Sequence, residues 1–480
     1  MTRLLVVGVG PRPAAGQSQV FAPGLRLHTM TAVALAAGHE VHVLEALFPG
    51  VAAEVEPPAG VASHEVVPLD VAALTRLIDA AAERLNPDAL VVLTDGVALA
   101  AARCRWRGPL YVDYNGHPMA ERQMQGAVHE NDDALAAQWA YVLPVLLRAD
   151  RFATCSRAQR LALIGELGAA GRINARTCGH ELVDVLRPPL PFEHEFTPTH
   201  PGLLRGGHAA HDARIILFTG GYNTWLDEEL LFEAVERALG NDPRALYVST
   251  GGEIHGHVSR VFQRFRARVE ASPHRERYRF LGWLDHTDYV DCCLEADVGI
   301  MTDRWTLEGE LGCRNRLYGW LWGGMRAVAT NLAEIVHAEL GPAGLVAGTP
   351  TGDVEALAAA LTRELALGRF DAAAAAERRQ LLRRLCAPSI YYGDFVRWIA
   401  APGPAPDRSA SHLPRNPLAE WMAQVDAWGN PADPQSLAAD ISRTLDRLAG
   451  SRAFRLYLAA HPETAALFER VRARMPAAPP

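Results

Sequence analysis

Leu4-Leu5-Val6-Val7-Gly8 and, after one intervening segment, Glu40-Val41-His42-Val43-Leu44 decide the fold class. The first is a short β-branched run suited to a strand buried on both faces. A Gly/Pro-rich loop from Gly8 to Gly24 follows it, then a helical stretch from about Leu25 to Ala37 that Gly38 closes. The second run reads as the next strand. Strand, loop, helix, strand is the building unit of a parallel α/β sheet.

The unit recurs outward from there. Ala89 to Leu93 precedes Thr94-Asp95-Gly96, and Pro109 to Asp113 precedes Tyr114-Asn115-Gly116-His117. Polar residues just past a strand sit at the carboxyl edge of the sheet, where open α/β sheets bind ligands. Leu147 to Thr154 leads to Cys155-Ser156. Prolines, glycines and histidines then break all periodicity between about Leu186 and Asp212, which reads as an interdomain linker.

A second α/β series begins at Arg214 to Phe218 and runs into Thr219-Gly220-Gly221. Its further strands are expected at Ala245 to Ser249, Tyr278 to Leu281, Val298 to Met301 and Ala327 to Thr330, with Leu345-Val346 shorter. Two such series imply two doubly wound Rossmann-like domains, over 1–190 and 214–388, with 191–213 as linker. The stretch 403–480 reads as a helical extension, with helices around Leu418 to Trp428, Pro434 to Leu448 and Phe454 to Arg474.

With 480 residues and 49% hydrophobic content, the chain has ample length for two large cores. A net charge of −8 supplies no basic excess for nucleic acid. Lysine is absent, so any phosphate site must use Arg, backbone N–H groups or helix termini. The seven cysteines are scattered outside C-x-x-C pairs, which indicates neither disulfide framework nor structural zinc. His255 and His257 lack a completing carboxylate or Cys and read as loop residues. No signal-peptide pattern or apolar span appears, so a cytoplasmic protein is expected, touching at most the inner face of a membrane.

Two loops carry chemistry. In Thr219-Gly220-Gly221-Tyr222-Asn223-Thr224-Trp225-Leu226-Asp227, glycines after a strand let backbone N–H groups approach a phosphate; a plain strand–helix turn is the alternative. In Glu308-Gly309-Glu310-Leu311-Gly312-Cys313-Arg314-Asn315-Arg316, two carboxylates and two arginines open an apolar helix. They suit a sugar-diphosphate clamp, with a surface ion-pair cluster as the alternative. His117 lies past a strand end near Asp113, placed for catalysis or for a structural hydrogen bond.

Together these stretches resemble glycosyltransferase family 4, which has the GT-B fold of two Rossmann-like domains facing a cleft. The likeness rests on three segments. They are Pro23-Gly24-Leu25 with Ala37 to Val43; Phe280-Leu281-Gly282-Trp283 with Tyr289 and Glu295 to Ile300; and Glu308 to Thr330 with Trp322-Gly323-Gly324. It covers about the first 400 residues and leaves out the tail. The resemblance implies retaining transfer from a nucleoside-diphosphate sugar without a metal or other cofactor. It also implies a crossover helix, for which 389–402 is the candidate.

On this basis Arg314 and Arg316 neutralise the leaving diphosphate, and His117 and Asp113 meet the sugar or acceptor. The donor would lie against Gly220, Gly221, Asn223 and Trp283, and against Glu308, Glu310, Gly312 and Cys313. The expected partners are a nucleotide sugar and a glycan, lipid or small-molecule acceptor, with a protein partner for the extension. Departures are specific: Arg316 and Tyr318 stand where the family's Glu-x7-Glu pattern has its second carboxylate, and Arg326 replaces its proline. A sugar-nucleotide epimerase and a silent glycan- or protein-binding scaffold are the rival readings.

Overall fold

The computed structural model describes residues 1–13, 22–48, 57–188, 195–253, 260–408 and 443–473. Part of the Gly8–Gly24 loop, residues 191–194 of the linker, and His255 with His257 lie outside the described residues. So do the expected tail helix Leu418–Trp428 and much of Pro434–Leu448.

The first sheet holds β1 (Arg3–Val9), β2 (Glu40–Leu47), β3 (Ser63–Pro68), β4 (Ala89–Leu93), β5 (Leu110–Tyr114), β6 (Arg151–Thr154) and β7 (Val183–Val185). Their spatial order is β3-β2-β1-β4-β5-β6-β7, and every pair is parallel. The second sheet holds β8 (Arg214–Thr219), β9 (Ala245–Thr250), β10 (Tyr278–Gly282), β11 (Val298–Met301), β12 (Arg326–Thr330) and β13 (Ala347–Thr349). Its order, β10-β9-β8-β11-β12-β13, repeats the same plan. In each sheet the order reverses at the first strand, which opens a crevice at the carboxyl ends of β1/β4 and β8/β11.

Parallel strands covered on both faces explain the continuous apolar runs. In β8, Ile215 and Leu217 belong to one buried cluster and Ile216 and Phe218 to another, so the period of two feeds two cores. β13 falls two residues later than the Leu345-Val346 reading placed it, because those two residues are buried just before the strand starts.

After the helices Val354–Leu367 and Ala372–Leu385, the chain returns to the first domain through Pro388–Tyr391 and Gly393–Ala400. There the rings of Phe395 and Trp398 lie 5.2 and 5.1 Å from that of Tyr111 in β5. Asp407 then pairs with the fully buried Arg172 at 2.5 Å.

Residues 415–480 form a separate unit. Its described part is a helical stretch over 443–450 and the helices Arg452–Ala460 and Pro462–Arg472. Phe454 meets Phe468 edge-on at 5.1 Å, and Arg472 bonds Asp446 at 2.8 Å. Among the described residues no helix is long and apolar enough to cross a membrane.

Candidate active site in the interdomain cleft

The second-domain wall begins where β8, β9 and β10 end on glycines with positive φ: Gly220 (+84°), Gly251 (+105°) and Gly282 (+72°). The approach between the first two is close. A Cβ on Gly251 would stand 2.3 Å from the Gly220 carbonyl oxygen, so no larger residue fits without moving the loop. Gly220 N–H donates to Thr250 O at 2.7 Å, which fixes the turn. Tyr222 leaves the site for the core, its hydroxyl bonded to Tyr247 and Ser249 at 2.9 Å each. Asn223 is half-buried beside it. Trp283, just past β10, donates its indole N–H to Glu253 O at 2.8 Å.

Arg316 reaches this loop from the helix Arg316–Trp322. Its guanidinium lies 4.6 Å over the Phe218 ring, and Nη2 donates to Gly221 O at 3.1 Å. Nη1 is buried without a partner among the described residues. Burial lowers the Arg316 pKa to about 10, against the pull of Asp303, so the cation persists at neutral pH.

The stretch expected to open one helix forms two short ones, Leu307–Leu311 and Arg316–Trp322, split at Gly312-Cys313. The split sorts the side chains. Thr306 caps the first helix by accepting from Gly309 N–H, and Glu308 turns inward while Glu310 faces solvent. Glu308 is 4% exposed and its Oε2 has no partner among the described residues. Burial pushes its carboxyl up to about 7, with Arg314 opposing. Arg314 is committed: Nε donates to both oxygens of Asp303 at 2.9 and 3.0 Å, Nη1 to Cys313 O and Nη2 to Gly309 O. Gly312 permits this, since a Cβ there would meet Arg314 Nη1 at 2.7 Å. Cys313 is half-buried, its thiol pushed up to about 11 by burial.

On the first-domain wall Asp113 is fully buried in a two-bond pair with Arg26, at 2.7 Å each, and Arg26 also donates to Tyr392 Oη at 2.6 Å. Burial disfavours the Arg26 charge, but Asp113 more than offsets this and the pKa rises. Asp113 therefore anchors the returning chain, and its oxygens are spent on Arg26.

His117 caps the helix Pro118–His129, its Nδ1 accepting from Ala120 N–H at 3.3 Å. That leaves its single proton on Nε2. Nε2 is buried and unbonded, 3.5 Å from Glu166 Oε1. Burial lowers the His117 pKa to about 4, so the ring is a neutral donor.

Around His117 stand groups with no motif to announce them. Glu121 is pushed up to about 8 by burial, then by Glu308 and Asp95. Glu166 is pushed up to about 7 by burial. Tyr114 Oη and Glu166 Oε2 are buried without partners among the described residues. The helix Leu307–Leu311 lies against both Pro118–His129 and Arg157–Ala169, bringing Glu308 to this group.

The two walls are bonded together. Ser156 Oγ donates to Leu311 O at 2.6 Å, Arg157 N–H to Glu334 Oε2 at 2.7 Å, and Tyr318 Oη to Pro188 O at 2.7 Å. Arg187 pairs with Glu334 and Glu339. The cavity of about 480 Å³ lined by Arg214, Asp242, Arg244 and Thr362 opens at the amino-terminal edge of β8, on the far side from these loops. Among the described residues, one group of three ligand atoms lies mutually within 4.8 Å: His200, Asp288 and Asp291. Asp291 there already accepts from the Thr199 and His200 N–H groups, which ties the linker to the helix His286–Glu295.

No family model and no curated protein matches this chain. Solved structures do. A sucrose-phosphate synthase from Thermosynechococcus elongatus is similar with a TM-score of 0.61 at 15% identity, over 84% of this chain and 100% of that one. A trehalose-6-phosphate protein from E. coli bound with UDP-2-fluoro glucose gives 0.60 at 15%, over 84% and 100%. An alpha,alpha-trehalose 6-phosphate synthase from Burkholderia multivorans gives 0.58 at 16%, over 84% and 97%. At this identity the likeness carries the fold, which is GT-B: two Rossmann-like domains about a cleft; a helical C-terminal region follows in the chain.

Proposed function

We propose that this chain is a glycosyltransferase that moves a sugar from a nucleoside-diphosphate donor to an acceptor with retention, along the lines of family 4. The observation that carries the reading is a set of buried polar atoms without partners at the carboxyl ends of both sheets. They are Arg316 Nη1 and Glu308 Oε2 on one wall, and His117 Nε2, Glu166 Oε2 and Tyr114 Oη on the other. Buried polar atoms are ordinarily satisfied, so these five, facing one another from the two walls, support a polyhydroxylated ligand whose anionic part meets Arg316.

In this reading Arg316 and the Gly220-Gly221 loop hold the diphosphate, where charge grows as the glycosidic bond breaks. Glu308 orients donor hydroxyls, and the neutral His117 donates through Nε2 to the sugar or acceptor. Trp283 and Asn223 border the donor. Arg314 acts as a positioning residue for Glu308, and Gly312 makes room for it. Glu310 and Cys313 complete the surrounding loop. The diphosphate charge is met without a metal. The reading carries with it a reaction in the cytoplasm.

The replacement of the second carboxylate by Arg316 or Tyr318 is the feature that favours the silent-scaffold reading. Transfer decides between them. The purified chain incubated with UDP-, GDP- and dTDP-sugars and a mixed acceptor pool is expected to release one nucleoside diphosphate. Release by Arg316→Ala and Glu308→Gln should fall by about 100-fold, the scale seen when a transition-state donor is removed. No release from any donor by the folded wild type would refute the proposal.

A further inference from the structure

The chain neutralises its buried carboxylates with arginine almost everywhere. Glu45 has Arg12, Asp113 has Arg26, Asp303 has Arg314, Asp184 has Arg151 and Asp407 has Arg172. The cleft group breaks that habit. Asp95, Glu121, Glu166 and Glu308 have no arginine within ion-pair distance among the described residues. Asp95 accepts from Gln138 and from Gly96 N–H, and Glu166 has only the neutral His117 at 3.5 Å. Arg122 opposes the charge from beside Glu121 but donates to Gln138 Oε1 at 3.0 and 3.2 Å. Glu308 Oε2 and His117 Nε2, on residues 4% and 8% exposed, stand unbonded within this group.

Carboxyls gathered without a paired arginine, Glu308 buried and the other three half-buried, favour protonation or a cation placed between them. A metal ion does not fit, since no three of their ligand atoms lie within 4.8 Å of one another. A cation on a wider frame does. Resting on the glycosyltransferase reading, we infer that the first-domain side of the cleft takes an acceptor bearing a protonated amine on a polyhydroxylated ring, an amino sugar or aminocyclitol. The carboxyls of Glu121 and Glu166 face the ammonium, and the ring hydroxyls meet His117 Nε2 and Tyr114 Oη. A phosphorylated acceptor would set its own negative charge beside these carboxyls and is expected to bind less well.

The test uses the full chain saturated with the nucleoside diphosphate that stabilises it, titrated calorimetrically with glucosamine, glucose and glucose 6-phosphate. Glucosamine is expected to bind about tenfold more tightly than glucose, with glucose 6-phosphate weakest. In Glu121→Gln with Glu166→Gln that advantage should fall to near parity, with nucleotide stabilisation retained as the check on folding. Equal or tighter binding of glucose 6-phosphate, no binding of glucosamine, or a preference that survives both substitutions overturns the inference. A wild type that binds no nucleotide counts instead against the glycosyltransferase reading.

Discussion

A guanidinium carries five N–H donors, and their count separates two arginines that stand one residue apart. All three Arg314 nitrogens donate within its own loop, to Asp303, Cys313 and Gly309. Arg316 keeps Nη1 unbonded beside the Gly220-Gly221 turn. Arg314→Ala therefore leaves Asp303 buried and unpaired, and should lower folding stability by about 3–5 kcal/mol in urea denaturation. Arg316→Ala should leave stability nearly unchanged; an equal loss from both would remove the distinction. The sequence brought both arginines forward as equals, because local spacing says nothing of who partners whom. Asp113 was singled out for its place at a strand end, yet its partner Arg26 lies 87 residues away. Glu121 and Glu166 carry no motif: Glu121 stands one turn after His117 on the helix that His117 caps, and Glu166 comes to His117 from the helix Arg157–Ala169 of the same domain.

At the scale of elements, the hydrophobic runs marked most strands of both sheets to within a residue or two. β3 escaped because it is an edge strand with mostly exposed residues, and β7 because it is three residues long. After β11 two short helices stand where the sequence predicts one, for a steric reason: the chain breaks at Gly312 and Cys313, and Arg314 turns back onto Asp303. The glycine row at the ends of β8, β9 and β10 was legible only at Gly220-Gly221, since the close approach of Gly251 depends on neighbouring strands. Gly251→Ala tests that approach. Positive φ and the 2.3 Å contact with Gly220 O should cost about 1–3 kcal/mol and displace the turn, weakening diphosphate binding. Unaltered binding and stability in the alanine variant would show that the turn does not depend on Gly251.

The whole molecule repeats one strand order twice and joins the halves across their carboxyl edges, so the loops that sequence reading favoured meet in one cleft. Two doubly wound domains were readable from strand spacing and the linker. The pairing of the walls was not, because it rests on contacts such as Ser156 with Leu311 and Arg157 with Glu334. In the proposed function the second-domain wall holds a nucleoside diphosphate through Arg316. Thermal unfolding of wild type and Arg316→Ala against UDP, GDP, dTDP, CDP and ADP tests it most directly. One diphosphate at about 100 times its dissociation constant should stabilise the wild type by about 2.7 kcal/mol and the variant far less. Stabilisation by none of the five, or equal stabilisation of the variant, would show that Arg316 does not hold a nucleoside diphosphate.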